Sequence, residues 1–227
     1  MARVGVVTFP GSNCDADMRR AVDQTPGLKA VALWHKDAGI HGVDAVILPG
    51  GFSYGDYLRC GAMAGLSPVM RSVKAFADRG GPVLGVCNGF QILCETGMLP
   101  GALVRNRGLK FVCDTVHVSV GRDTPFTRKG KDALQLPVAH GEGCWVADDD
   151  TLATAAENNQ LLFRYVNASG ERAPGANPNG SLEDVAGVCN VAGNVVGLMP
   201  HPERASRDAL GGTDGTHFFE QLARSLS

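Results

Sequence analysis

Pro82-Val83-Leu84-Gly85-Val86-Cys87-Asn88-Gly89-Phe90-Gln91-Ile92-Leu93 is the stretch that decides the fold. Residues 82–86 form an apolar run of strand length, and a helical pattern over 89–95 follows without a spacer. A cysteine stands at the corner between them. Gly85 and Gly89 flank Cys87 at −2 and +2, the spacing of a G-x-nucleophile-x-G turn with Cys in place of Ser. A sharp turn of this kind pushes the side chain out of the sheet. Small residues on both sides remove the clash, and the helix N-terminus beneath lends positive potential to the sulfur. The N–H of Asn88 is left free for a developing oxyanion. A lone cysteine is usually only a buried residue closing a strand. The flanking glycines at a strand-to-helix junction favour a nucleophile here.

The pattern extends outward from this corner. Residues 4–9, 30–34 and 44–48 are further short apolar runs, and residues 15–23 read as a helix between the first two. Ser67-Pro68 has the chemistry of an N-cap followed by proline, opening a helix to about residue 79 that Gly80-Gly81 ends. Short apolar strands separated by helices predict a parallel sheet buried on both faces. The second half differs. Residues 111–120 alternate like a half-exposed strand, 185–191 and 194–198 flank Ala192-Gly193 as a hairpin, and 217–226 form a closing amphipathic helix. Residues 121–131 and 167–181 have loop chemistry. The expected fold is α/β: a three-layer sandwich with a mostly parallel central sheet and antiparallel strands added late, forming a single domain over residues 1–227.

Composition narrows the function classes. The chain has 227 residues, 44% of them hydrophobic, and 21 basic against 23 acidic side chains give a net charge of −2. That is enough apolar matter for a core and no field to hold a polyanion, so nucleic acid is not the expected partner. No run of about 18 apolar residues exists, and the first apolar run reads as a strand instead of a signal peptide, so no membrane association is expected. Seven cysteines, an odd count with no CxxC pair, argue against a disulfide framework or a zinc site. The expectation is a cytoplasmic protein with no metal. Cys94, Cys113 and Cys189 read as packing residues. Cys14, Cys60 and Cys144 lie near glycines, but nothing in the sequence requires them at a site.

A cysteine nucleophile needs a base. Two of the six histidines lie in His-x-Glu: His140-Gly141-Glu142 and His201-Pro202-Glu203. On extended backbone, residues i and i+2 project to one side, so either pair places a carboxylate beside an imidazole. Pro200 and Pro202 stiffen the second pair, which also follows a strand, where sites of open α/β sheets gather. His201 and Glu203 are therefore ranked as the catalytic pair and His140 as the runner-up. Pro49-Gly50-Gly51-Phe52-Ser53-Tyr54-Gly55-Asp56-Tyr57-Leu58-Arg59 also follows a strand. Gly50 and Gly51 let backbone N–H groups face a ligand there, as a second oxyanion donor, although a structural turn fits the spacing equally well. No nucleotide-binding G-x-x-x-x-G-K-[ST] or G-x-G-x-x-G occurs.

These residues resemble a family. Residues 85–91 together with Pro200-His201-Pro202-Glu203 are similar to the class I (triad) glutamine amidotransferases, whose sheets are flavodoxin-like. Four further segments narrow the likeness: Phe9-Pro10-Gly11-Ser12-Asn13-Cys14-Asp15, residues 49–59, Val138-Ala139-His140-Gly141-Glu142-Gly143, and Asn177-Pro178-Asn179-Gly180-Ser181. Together they resemble the glutaminase subunits of phosphoribosylformylglycinamidine synthases, which serve purine biosynthesis. The resemblance covers nearly the whole chain. It implies that Cys87 attacks the carboxamide of L-glutamine, that His201 moves the protons, and that Glu203 holds the imidazole. It also implies an oxyanion hole from the N–H groups of Gly51 and Asn88, each worth on the order of 3 kcal/mol in the transition state. Gln91, Gly50 and Gly141 are then expected to touch the substrate.

The family's full reaction uses this ammonia to convert formylglycinamide ribonucleotide to formylglycinamidine ribonucleotide and consumes ATP. This chain has no nucleotide loop and little spare length. The resemblance therefore implies no cofactor in this chain. It places ATP and Mg on a large synthetase subunit as partner, with a small third subunit often joining. Two other classes compete: another cysteine hydrolase on the same kind of sheet, and a non-catalytic binding module. The former fits the residues at 49–59 and 200–203 less well, and the latter would usually have lost Cys87, His201 or Glu203.

Overall fold

The computed structural model describes residues 1–57, 59–130 and 133–227. Leu58 of the 49–59 run and Lys131 at the end of the expected 121–131 loop lie outside the described residues. The elements in chain order are β1 (Ala2–Thr8), α1 (Asp15–Gln24), β2 (Leu28–Trp34), β3 (Ala45–Leu48), α2 (Ala62–Gly65), α3 (Pro68–Asp78), β4 (Val83–Val86), α4 (Asn88–Glu95), β5 (Ala102–Val104), β6 (Val112–Val120), β7 (Leu134–His140), β8 (Cys144–Val146), α5 (Asp149–Glu157), β9 (Phe163–Val166), β10 (Val185–Cys189), β11 (Val195–Leu198) and α6 (Thr216–Ser225). Short 3-10 turns cover Ser53–Asp56 and Pro202–Ala205.

Among the described residues, nine strands form one sheet in the order β2-β1-β3-β4-β11-β10-β9-β6-β7. The first five are parallel, in the 2-1-3-4-5 order of flavodoxin-like sheets. Every pairing beyond β11 is antiparallel. The apolar runs explain the division. All residues of β3, β4 and β11 are buried, as strands covered on both faces by helices must be. In β6, burial alternates only from Val116 onward, and Cys113 is exposed, not packed as the sequence suggested.

Helix ends follow local chemistry with one exception. Gly80 takes φ 88°, its N–H bonds to Ala77 and that of Gly81 to Phe76, so the two glycines close α3 with a Schellman pair. Ser67 stands at the N-cap of α3, but its side chain does not cap. Its hydroxyl lies 3.1 Å from the Tyr54 hydroxyl, a tertiary contact that competes successfully with the local one. β7 and β9 lack the unbroken apolar run of the buried parallel strands. β7 is interrupted by Pro137, which an edge strand tolerates. For α5 the signal was present: the Asp148 carboxylate accepts from the Thr151 N–H at 2.7 Å, an N-cap.

The topology gathers strand ends on one edge. β1, β3, β4 and β11 are parallel, so the segments after Thr8, Leu48, Val86 and Leu198 emerge side by side. Three successive antiparallel pairings after β10 make β7 run in the same direction as β4. The His201 N–H donates to the Pro137 carbonyl at 2.8 Å, so the far edge of the sheet curls back over the segment that follows β11.

Candidate active site

Cys87 sits where β4 turns into α4, with φ 50° and ψ −106°. A non-glycine residue rarely holds this conformation, and the surroundings enforce it. The Cys87 N–H donates to the Leu198 carbonyl at 2.8 Å, and its thiol faces the Ala139 carbonyl at 3.8 Å. A Cβ on Gly89 would overlap the Leu48 carbonyl, and one on Gly85 would lie 2.6 Å from the Gly89 oxygen. The flanking glycines are thus required by close backbone packing, as the elbow reading expected. Cys87 is 7% exposed.

His201 and Glu203 come together beside it. His201 Nδ1 lies 2.7 Å from Glu203 Oε1, and both residues are 1% exposed. Their route differs from the expected extended i, i+2 pair. His201 is extended at φ −103°, ψ 92°, but Glu203 belongs to the 3-10 turn Pro202–Ala205, which brings its carboxylate round to the ring. Burial opposes charging of His201. The Glu203 carboxylate and the Cys87 sulfur outweigh it and hold the imidazolium well above the usual histidine range. Among the described residues, Nε2 of His201 is buried without a hydrogen-bond partner.

The other pair does not form. Nδ1 of His140 lies 3.1 Å from Asn106 Oδ1, and the Glu142 carboxylate turns to Arg105 at 3.6 Å. Burial and the charge of His201 push the His140 pKa down to about 4, so it is neutral at pH 7.

Gly51 takes φ 146° and pairs with Ser12 in an isolated bridge; a Cβ there would lie 2.8 Å from the Asn13 nitrogen. Asn88 opens α4, so its N–H has no carbonyl four residues back. The Asn88 side chain accepts from the Ser53 N–H at 3.2 Å and donates to Gln91 Oε1 at 2.9 Å, tying the 49–59 segment to α4. Gln91 in turn donates to the Glu142 carbonyl at 2.6 Å. Its amide is engaged at both ends and fixes the wall of the site. Gly50 packs beneath the site: a Cβ on it would meet His201 Cε1 at 2.7 Å, Cys14 Sγ at 3.2 Å and Cys87 Cβ at 3.4 Å.

Two cavities meet at Cys87, sharing Gly51, Phe52, Phe111 and Ala139. One, of about 170 Å³, is lined by Asp56, Cys60, Gln91, His140, Gly141 and Glu142. The other, of about 140 Å³, is lined by Asn13, Cys14, His201 and Arg204. The first is acidic. Burial raises the Asp56 carboxyl above the usual range, and although a bond from Cys60 lowers it, the neighbouring Glu142 charge raises it further. Burial also pushes the Cys60 thiol up. Asn106 and Phe111 belong to no site motif of the sequence. Arg204 directly follows Glu203, and Asp56 and Cys14 lie inside the 49–59 and 9–15 segments, where nothing local gives Asp56 or Cys14 a role. In the structure Arg204 Nη2 donates to the Cys14 sulfur at 3.0 Å, and Cys14, His201 and Glu203 offer ligand atoms within 4.8 Å of one another.

This geometry agrees with what the chain is similar to. Residues 1–211 match the family described as CobB/CobQ-like glutamine amidotransferase domain. The phosphoribosylformylglycinamidine synthase subunit PurQ of Chlorobaculum tepidum is 54% identical, over 99% of this chain and 97% of that protein. The same subunit of Acaryochloris marina is 52% identical over equal shares. Among solved structures, a chain of PurLQS from Thermotoga maritima superposes with a TM-score of 0.87 at 41% identity, each chain covered in full. With an elbow cysteine, a His–Glu pair and full-length likeness all in place, the chain belongs to the CobB/CobQ-like glutamine amidotransferases, in the PurQ branch of that family.

Proposed function

We propose that this chain is the glutaminase of a phosphoribosylformylglycinamidine synthase, working through Cys87, His201 and Glu203. The observation that most directly supports this is a strained cysteine at the meeting point of two cavities, one acidic and one containing a buried His–Glu pair. Free glutamine enters the acidic cavity with its ammonium toward Asp56 and Glu142. Relief of the repulsion between those carboxylates favours a cation there. Its carboxamide carbon then reaches Cys87. The sulfur bonds to that carbon while the proton rests on His201, and the oxygen becomes an oxyanion held by the N–H groups of Gly51 and Asn88. The C–N bond breaks as His201 returns the proton to the leaving ammonia. Water then attacks the glutamyl thioester, giving up a proton through His201 to the sulfur, and glutamate leaves. Glu203 fixes the tautomer and compensates the imidazolium charge throughout.

The reading extends to the assembly. Ammonia freed into water is protonated and lost as a nucleophile, so a synthetase subunit docks over the mouth and receives it. ATP and Mg bind that subunit, and a small third subunit completes the complex. Among the described residues no helix is long and apolar enough to cross a membrane; a cytoplasmic setting fits purine synthesis. The test is labelling with a glutamine-like alkylating reagent, together with glutamate release with and without the purified synthetase. Labelling of the parent but not of Cys87→Ala, with turnover that rises on docking, is expected. Equal labelling of Cys87→Ala, or equal turnover with and without synthetase, counts against it.

A further inference from the structure

We propose that Asn106 is a positioning residue for glutamine, which fixes the 140–143 turn against which the substrate lies. This deepens the glutaminase reading and rests on it. Asn106 is not among the residues that line either cavity, whereas His140, Gly141 and Glu142 line the acidic one. Each carbonyl of that turn is held by a group from another segment. Asn106 Nδ2 donates to the His140 carbonyl at 2.9 Å, and the Asn106 N–H donates to that of Gly141 at 3.0 Å. Gln91 holds the Glu142 carbonyl at 2.6 Å, and Asn179 Nδ2 holds that of Gly143 at 2.8 Å. Asn106 Oδ1 then accepts from the Gly143 N–H at 3.0 Å. A Cβ on Gly143 would lie 2.4 Å from His140 Nδ1, so the turn folds closely onto the ring. Ala139, just before the turn, presents its carbonyl to the Cys87 sulfur at 3.8 Å, so the position of the turn is referred to the nucleophile.

The network also orients the Asn106 amide. Nδ2 faces the carbonyls of Lys110 and His140, both at 2.9 Å, so Oδ1 is the atom that faces His140 Nδ1 at 3.1 Å. Nδ1 therefore carries the ring proton, and His140 is kept in one tautomer. Asn106 is 1% exposed with both ends of its side chain engaged. A buried amide is costly when a bond is missing, and one that is fully bonded specifies position more than it adds stability. The bond to Lys110 extends the same control to Phe111, which lines both cavities. The 177–181 segment supplies a second arm. Asn179 Oδ1 accepts from the Ser181 hydroxyl at 2.8 Å, and Ser181 Oγ accepts from the Trp145 N–H at 2.9 Å. The Arg107 N–H donates to the Asn179 carbonyl at 2.9 Å, which joins the two arms. A packed apolar side chain could anchor a loop, but it would set neither the His140 tautomer nor the direction of the Gly141 and Glu142 peptides.

The experiment compares the parent with Asn106→Ala and with the isosteric Asn106→Asp, which keeps Oδ1 and loses the Nδ2 donors. Glutamate release in the complex with the synthetase should show KM for glutamine raised at least about ten-fold, with kcat within about three-fold. Iodoacetamide, which needs no amino-acid cavity, should alkylate Cys87 within about two-fold of the parent rate, followed on the Cys87 peptide. A role confined to folding would lower the active fraction, and so kcat and the alkylated fraction, at constant KM. Nitrogen NMR of the histidine rings in the full chain is the second readout. The parent should carry the His140 proton on Nδ1 at pH 7, and Asn106→Asp, with a carboxylate beside Nδ1, should make His140 titrate at higher pH. Constant KM in both variants overturns the proposal, as does a parent His140 with its proton on Nε2. Where Asn106→Ala fails to fold, Asn106→Asp and the parent tautomer decide. A parent that releases no glutamate sinks the glutaminase reading and this proposal with it, whereas a working parent with variants of constant KM sinks this one alone.

Discussion

Gly50→Ala tests the idea that a single missing methyl group sets the position of the base. Gly50 does not have positive φ, so its backbone accepts alanine without strain. The added Cβ would sit 2.7 Å from His201 Cε1, against about 3.4 Å for ordinary contact, so the ring must retreat by about 0.7 Å. It cannot do so freely, because Nδ1 is tied to Glu203 and the His201 N–H to Pro137. Overpacking of this kind costs about 1–3 kcal/mol of stability, which leaves the protein folded. Catalysis is less forgiving. A displacement approaching 1 Å between a nucleophile and its base costs on the order of 10- to 100-fold in kcat. The assay is glutamate formation in the reconstituted complex with the synthetase, alongside thermal melting. Gly39→Ala, where nothing lies within 4 Å, is the neutral control. A Gly50→Ala protein that melts a few degrees lower yet turns over within two-fold of the parent would refute the reasoning.

Steady-state kinetics of His201→Ala should show kcat lowered by on the order of 10⁴-fold or more, with Glu203→Gln losing less because it orients and does not transfer the proton. His140→Ala should mainly raise KM for glutamine; the opposite pattern would reassign the base. Asp56→Asn removes one carboxylate from the acidic cavity and should raise KM about 10-fold or more with kcat nearly unchanged, the size of a lost charge-assisted hydrogen bond. Stability should respond to pH through His140, whose pKa falls from 6.5 to about 4 on folding. Between those values the unfolded chain binds a proton that the folded one refuses. Stability is therefore lost as pH falls through that window, by up to about 3 kcal/mol. His201, whose pKa is raised on folding, acts in the opposite sense and loses its contribution as pH rises. Urea unfolding at pH 7 and pH 4.5 should show a smaller loss for His140→Asn than for the parent, and an equal loss would contradict the assignment.

Residues 82–93 determined much of this protein by themselves. An apolar strand, two glycines at fixed offsets and a helix leave Cys87 one place to be, because the constraint is local and steric. The parallel strands were legible for the same reason: burial on both faces writes an unbroken apolar run, as in β3 and β4. β7 and β9 were not, since Pro137 and Arg164 interrupt them and their stability comes from neighbours distant in the chain. The choice between His201 and His140 was favoured in the sequence, but the geometric reason was not available there. An extended i, i+2 relation applied to both pairs, and only the 3-10 turn after Pro202 and the Asn106 contact to His140 separate them. Asp56, Cys14 and Arg204 belong to the site solely because parallel strands deliver their loops to one edge and the sheet curls β7 back across it. Local sterics and burial are recorded residue by residue in a sequence. Which side chains share a cavity depends on contacts between distant segments, and these exist only once the chain has folded.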